Sequence, residues 1–358
     1  MLKITSIVLV GVIAILGVYL QQTIKIVGLF RSTYEKGSCK PVIPNWCEKI
    51  VHFDNKIYAI CSTFEKRSQY YPTLHVSNKA DVQQDELFVY DGTKTAKIPI
   101  RFDHGLLVNG FDIKTVKSKT ILVATNVFNM TLEEFEFTKD SLVHLKTIKS
   151  ELFHALDDVA IADKDQYVIT NDHSAHAQNN FFYRVIEDSF SFPNGNVMLY
   201  DKNKVTTIIS HVPNANGVLI KYNQGLQLWV SSPSEGTLFR YNFNPKENDY
   251  TFIDKIKLDF PPDNLSQHNG VVYVAGMVKA HNLIMGIFKL RNGDEQGYFN
   301  QDLTSQVVEI KNQTNFFGDL FSKTPKIQSK ELHFSTGAIV YKGGYIVSGF
   351  NKLMFCKE

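Results

Sequence analysis

Beyond residue 40 the chain alternates short apolar runs with polar turn residues, and helical spacing is hard to find. KIYAICSTF, ELFVYDG, TILVATNVF, QYVITNDH, LQLWVSS, GVVYVAG and GYIVSGF are rich in β-branched and aromatic residues. Gly, Asn, Asp and Ser bound them, the mark of strands joined by tight turns. That density of strands predicts a sandwich, a barrel or a propeller.

A repeat narrows the choice. Six segments share a small polar head, a short apolar strand, a turn and a second apolar strand. They begin at Glu48 (EKIVHFDNKIYAICS), Asn109 (NGFDIKTVKSKTILVAT), Asp157 (DDVAIADKDQYVIT), Asn216 (NGVLIKYNQGLQLWVSS), Asn264 (NLSQHNGVVYVAG) and Thr336 (TGAIVYKGGYIVSG). Successive heads lie 48–72 residues apart, and four-stranded propeller blades recur at about 40–50 residues, more with loop insertions. The pattern predicts an all-β, six-bladed β-propeller over residues 25–358.

The first strand of each blade lines the propeller axis, so the six heads converge, and each carries a side-chain oxygen. A single Asn or Asp head is an ordinary turn former; six in register point to a site. Carboxylates and carboxamides without converging Cys or His suit calcium, which takes about 6–8 oxygens. Zinc prefers nitrogen and sulfur. The competing reading is an axial water cluster bonded by the same groups. Asn264-Leu265-Ser266 is also a glycosylation sequon, which would place Asn264 on the surface. Its place among the heads turns it inward instead, leaving Asn129 and Asn312 as the candidate glycan sites.

The N-terminus changes the picture of location. Lys3 precedes an uncharged run from Ile4 to Leu20, 17 residues long, or about 25 Å of helix. It exceeds the usual signal-peptide core of about 7–15 residues, so residues 1–24 are read as an uncleaved signal anchor, with a cleaved signal as the alternative. Either places the body in the lumen of the secretory pathway or outside the cell: membrane-anchored in the endoplasmic reticulum or at the cell surface, or secreted if cleaved. The four cysteines, Cys39, Cys47, Cys61 and Cys356, suit that compartment and allow three pairings. Net charge is +2 with no basic runs, so nothing points to nucleic acid as a partner.

LVHLKTIKSEL at 142–152, ALDDVAI at 155–161, TNDH at 170–173, NANGV at 214–218, PDNLS at 262–266 and the ending AIVYKGGYIVSGFNKLMFC follow one another in order. Together they resemble the serum paraoxonase/arylesterase family. The resemblance implies a six-bladed propeller with two axial calcium ions that hydrolyses lactones and aryl esters. It implies Glu48, Asp157, Asn216, Asp263 and Asn264 as ligands of the catalytic calcium, and a Cys39–Cys356 disulfide. Cys47 and Cys61 flank a predicted hairpin and are candidates for a second bridge. Two departures stand out. The second, deeper calcium would use an aspartate where this chain has Lys49, leaving Asp158 and the Phe111 carbonyl. The family's histidine dyad falls on Asn109 and Val127.

The expected chemistry is calcium-dependent hydrolysis, with water activated by a carboxylate such as Asp263, or by His104, His173 or His281. Two other classes compete: a membrane-anchored calcium-binding propeller scaffold without catalysis, and a propeller enzyme of the sugar-lactonase or strictosidine-synthase type. Segments 173–193 and 278–286 are expected as loops that set specificity. The first reads as a lid or a membrane-contacting segment, or as aromatic packing of Phe181-Phe182-Tyr183 on the propeller edge.

Overall fold

The computed structural model describes residues 33–64, 67, 84–177, 180–222, 226–247, 249–315 and 318–358. The expected anchor at 1–24 lies outside these residues, and no helix among them is long and apolar enough to cross a membrane.

The described strands form six sheets, the blades of a β-propeller. Blade 1 comprises Trp46–Phe53, Lys56–Ser62, Glu86–Tyr90 and Thr95–Ile98, each antiparallel to the next. Blade 2 starts at Val108–Val116 and gains a short parallel outer strand, Ile100–Arg101. Blades 3, 4 and 5 start at Leu156–Asp163, Val218–Tyr222 and Pro262–His268. Blade 6 takes three strands from the C-terminus, beginning at Ser335–Tyr341, and its outermost strand, Ser38–Ile43, from the other end of the chain.

Burial explains why second strands read as continuous apolar runs instead of alternating ones. Lys56–Ser62 is buried at every position but the first, and Gly344–Gly349 throughout. Both faces of a blade pack on neighbouring blades, so neither face can be polar. Tyr58, Ile60 and Leu87 of blade 1 meet Phe111, Leu122 and Phe135 of blade 2. Trp229 and Leu238 of blade 4 meet Leu265 and Val274 of blade 5 in the same way. The core is therefore a ring of apolar seams between blades.

A ring must be closed. Ser38–Ile43 pairs antiparallel with Leu353–Lys357, and Cys39 lies directly opposite Cys356. The two are disulfide-bonded across 317 residues of sequence. A second disulfide joins Cys47 to Cys61, also direct partners across two strands of blade 1.

Three helices among the described residues depart from the strand-only reading. Helix α1 (Phe181–Ser189) lies within the segment expected as a loop; its N-cap Asn180 accepts from the backbone amides of Phe182 and Tyr183 at 3.0 and 3.3 Å. Phe182 and Tyr183 are exposed, so they do not pack on the propeller edge. Helix α2 (Ala280–Arg291) replaces most of the second expected loop, and α3 (Glu295–Phe299) follows it. Both helices pack on the end of the propeller through Leu283, Tyr298 and Phe299. Helices α1 and α3 are short and aromatic-rich, which obscures their helical spacing.

Replacing both Cys39 and Cys356 by Ser should destabilise the protein by about 2–4 kcal/mol, because the bridge restricts the unfolded chain over a long loop. The measurement is the urea midpoint. An unchanged midpoint would mean that strand pairing alone closes the ring.

Candidate axial site

The six heads share one backbone device. In blades 1, 2, 3 and 5 the inner strand carries one residue more than its partner, two opposite one, between Cys47 and Ile50, Val108 and Phe111, Leu156 and Val159, and Pro262 and Leu265. Blade 6 does the same between Ser335 and Gly337. In blade 4 Ser231 accepts from the Asn216 amide at 3.1 Å and donates to the Gly217 carbonyl at 2.9 Å, so two residues again face one. Each is a β-bulge, which breaks the ladder locally and re-aims side chains. Glu48, Asn109, Asp157, Asn216, Asn264 and Thr336 all sit at these bulges.

Two glycines let the bulged strands approach. A Cβ at Gly110 would stand 2.5 Å from Asp158 Cα, and one at Gly217 would stand 2.7 Å from Asn264 Cα. Hydroxyls at the ends of the second strands then tie one head to the next. Thr125 accepts from the Gly110 amide at 2.8 Å and donates to the Asp157 carbonyl at 2.8 Å. Thr170 accepts from the Asp158 amide at 2.9 Å and donates to the Asn216 carbonyl at 2.7 Å. Ser348 reaches the Glu48 carbonyl at 3.5 Å, across the closure.

The charges around the axis divide into two sets. Three carboxylates have a cation: Asp158 bonds the Lys49 ammonium, Asp85 accepts from Arg67 at 3.2 Å, and Asp172 bonds Arg184. Asp158 also accepts from the Val159 amide at 2.7 Å and the Val218 amide at 2.9 Å, so both its oxygens are occupied. Glu48, Asp157 and Asp263 have no ion pair among the described residues. Burial raises the proton affinity of all three, and their mutual repulsion adds to it for Asp157 and Asp263. Asp157 feels Asp172, Asp158 and Glu48; Asp263 feels Glu48, Asp157 and Asp158.

Two carboxamides complete the group. Asn264 is buried and donates to Asp263 Oδ1 at 3.0 Å, so its sequon is closed to solvent. Asn216 Oδ1 and Asp157 Oδ2 are buried without a hydrogen-bond partner, an expensive state for polar atoms. Among the described residues no three His, Cys, Asp or Glu side chains stand close enough to hold a metal by themselves; the oxygen donors here include amides. Hard oxygens with excess negative charge suit a cation of the calcium type.

One wall is aromatic. Trp46 donates to Glu48 Oε2 at 2.7 Å and stacks on Phe350 with centroids 3.8 Å apart. Phe64, Tyr298, Phe299 and Phe334 extend this wall. Burial, with Glu48 nearby, holds the Tyr298 hydroxyl protonated.

The remaining expected residues scatter. Phe111, expected as a ligand through its carbonyl, turns its side chain into the core between blades 1 and 2. His104 is exposed beside Phe102, and His281 lies on helix α2, where a loop was expected. His173 is buried, 3.0 Å from Asp172 through Nδ1 and 3.0 Å from Asp188 of α1 through Nε2. Burial and Arg184 push its pKa down, but the two carboxylates outweigh them and raise it to about 9. Its Nδ1 also lies 2.9 Å from an Arg184 nitrogen, so the ring links α1 to the strand end at Asp172. Asn129 is exposed in the turn after Lys119–Asn126, and Asn312 is exposed within Ser305–Asn315. Arg67, Asp85, Asp172 and Arg184 were missed by the sequence reading, since none belongs to a repeat head; the recurrent Ser or Thr ending the second strands was visible but read only as a strand end.

The comparisons agree with this architecture. The arylesterase family model matches residues 92–289, more than half of the chain. Serum paraoxonase/arylesterase 2 of Bos taurus is 30% identical over 141 residues, covering 39% of this chain and 38% of that protein. Serum paraoxonase/lactonase 3 of Oryctolagus cuniculus is 24% identical over 236 residues, 63% of this chain and 60% of its own length. These alignments therefore span less than two thirds of the relatives. Among solved structures, a gluconolactonase from Xanthomonas campestris superposes with a TM-score of 0.54 at 10% identity, covering 91% of this chain and 95% of that one, a likeness of fold alone. The chain belongs to the paraoxonase/arylesterase family of six-bladed propellers.

Proposed function

We propose that this chain is a calcium-dependent hydrolase of carboxylic esters, with aryl esters and lactones as its substrates. The charge pattern carries the reading. Lys49, Arg67 and Arg184 neutralise Asp158, Asp85 and Asp172, while Glu48, Asp157 and Asp263 are left without a cation beside the unpartnered oxygens of Asp157 and Asn216. Family relatives named as arylesterases and lactonases support the substrate class.

Glu48, Asp157, Asn216, Asp263 and Asn264 would hold the ion through oxygen. When bound, calcium would polarise the substrate carbonyl and offset the negative charge developing on its oxygen. Asp263, whose Oδ1 accepts from Asn264, is the carboxylate that takes the proton from the attacking water. The water oxygen bonds to the carbonyl carbon, the ester C–O bond breaks, and the proton passes to the departing oxygen. His173 is set aside as the base, because its ring nitrogens are taken up by Asp172, Arg184 and Asp188.

The second calcium implied by the family is replaced by Lys49. Its ammonium already neutralises Asp158, and removing one partner of such a buried pair costs about 3–5 kcal/mol. Two disulfides support a secretory or extracellular setting. Membrane attachment through residues 1–24 and glycans on Asn129 and Asn312 belong to the same proposal.

Calcium titration of metal-stripped protein should give one site per chain, and stripping should abolish hydrolysis of a panel of aryl esters and lactones. Two strong sites would refute the role of Lys49. Full turnover in a strong chelator would refute the mechanism, and calcium binding without turnover on the panel would favour a scaffold.

His173 gives a pH prediction. Its folded pKa lies above its ordinary value of 6.5, so its stabilisation is complete below 6.5 and is lost as pH rises through about 9. His173→Gln should therefore lower the urea midpoint at pH 6 and lose most of that effect by about pH 10. A deficit that is constant with pH would contradict the ion-pair reading.

A further inference from the structure

Asn109 is the one Asn or Asp repeat head outside the proposed ligand set, and its surroundings are unusually determined. Arg67 is buried, lies over the Trp46 ring at 5.9 Å, and donates from one nitrogen to Asp85 at 3.2 Å. Asp85 is itself fixed by the Val108 amide at 2.8 Å, next to Asn109 in the chain. The other terminal nitrogen of Arg67 donates to Asn109 Oδ1. A guanidinium has donors and no acceptor, so this bond defines which end of the Asn109 amide is oxygen. The amide nitrogen is left on the opposite side, 3.5 Å from Asp157 Oδ1. That contact is at the limit of a hydrogen bond. Asn109 is also only half-buried, whereas Asp157, Asp263 and Asn264 are buried.

An amide locked with its oxygen on Arg67 and one N–H at the limit of reach of Asp157 has a second N–H with no acceptor among the described residues and a partly open surface. We propose that Asn109 is a catalytic residue that donates a hydrogen bond to the carbonyl oxygen of the substrate as it becomes negatively charged, and that Arg67 and Asp85 are positioning residues that fix the orientation of its amide. This rests on the hydrolase reading above and deepens it. Its physical basis is pre-organisation: a donor held in place before the reaction needs no reorientation as charge develops.

The test separates this assignment from the hydrolase reading. Calcium affinity, kcat and KM for an aryl ester are measured for the wild type, Asn109→Ala and Arg67→Lys. Asn109→Ala should lower kcat by about 10²–10³-fold, the usual loss for one such donor, while KM and calcium affinity change by less than about threefold. Arg67→Lys should give a smaller loss of kcat with the same unchanged calcium affinity, since a lysine lacks the planar fork that holds Asp85 and Asn109 together. Binding of a monoanionic aryl phosphonate in calcium, a mimic of the charged tetrahedral centre, reads the donor without turnover. Asn109→Ala should weaken it at least about tenfold. Equal phosphonate binding by wild type and Asn109→Ala, or a parallel loss of calcium affinity, would overturn the assignment. A wild type that hydrolyses nothing, yet binds the phosphonate through Asn109, would overturn the hydrolase reading and leave the donor standing.

Discussion

Three carboxylates, Glu48, Asp157 and Asp263, sit at inner-strand bulges with no ion pair among the described residues, and Arg67 and Arg184 offset the burial of Glu48 and Asp157 only in part. Like charges in a buried site repel and lose solvation together, so the arrangement is costly as it stands. The fold nevertheless invests backbone in it. Every head sits at a bulge, two glycines permit the close approach, and threonine hydroxyls tie Asp157 and Asn216 to the blades before them. A propeller closed by strand pairing and by Cys39–Cys356 resists the spreading that would relieve the repulsion.

The neighbouring charges make the imbalance selective. Lys49, Arg67 and Arg184 each meet a carboxylate outside the proposed ligand set. Arg184 comes from α1, and His173 binds Asp172 and Asp188 on either side of it, so the helix covering the propeller end is tied electrostatically to the axis. Arg67 serves a different purpose, turning the Asn109 amide. The site thus holds a cation-sized charge deficit, an oriented donor and an aromatic wall within one end of the ring.

Much of this was legible in the sequence because a propeller repeats. The heads recur with the blades, and their inward direction follows from belonging to inner strands, which also removed Asn264 from the candidate glycan sites. The pairing of Cys47 with Cys61 follows from the hairpin they flank. What was hidden has no period. Arg67 lies between Lys56–Ser62 and Glu86–Tyr90, outside any repeat head. Lys49 registers in sequence only as a wrong charge; its partner is 109 residues away. Helix α1 is short and opens on three aromatics, and the apolar run of α2 ends in GIFKL, which is equally compatible with a strand, so His281 was placed on a loop.

The central claim is that a divalent cation offsets the axial carboxylates, and the sign of one mutational effect tests it. Asp263→Asn keeps the size of the side chain and an acceptor for Asn264 but removes one negative charge. In a strong chelator the substitution should raise the urea midpoint above wild type, because it relieves repulsion. In saturating calcium it should lower the midpoint below wild type, because it weakens a ligand whose binding stabilises the folded state. The same sign in both conditions would contradict the account.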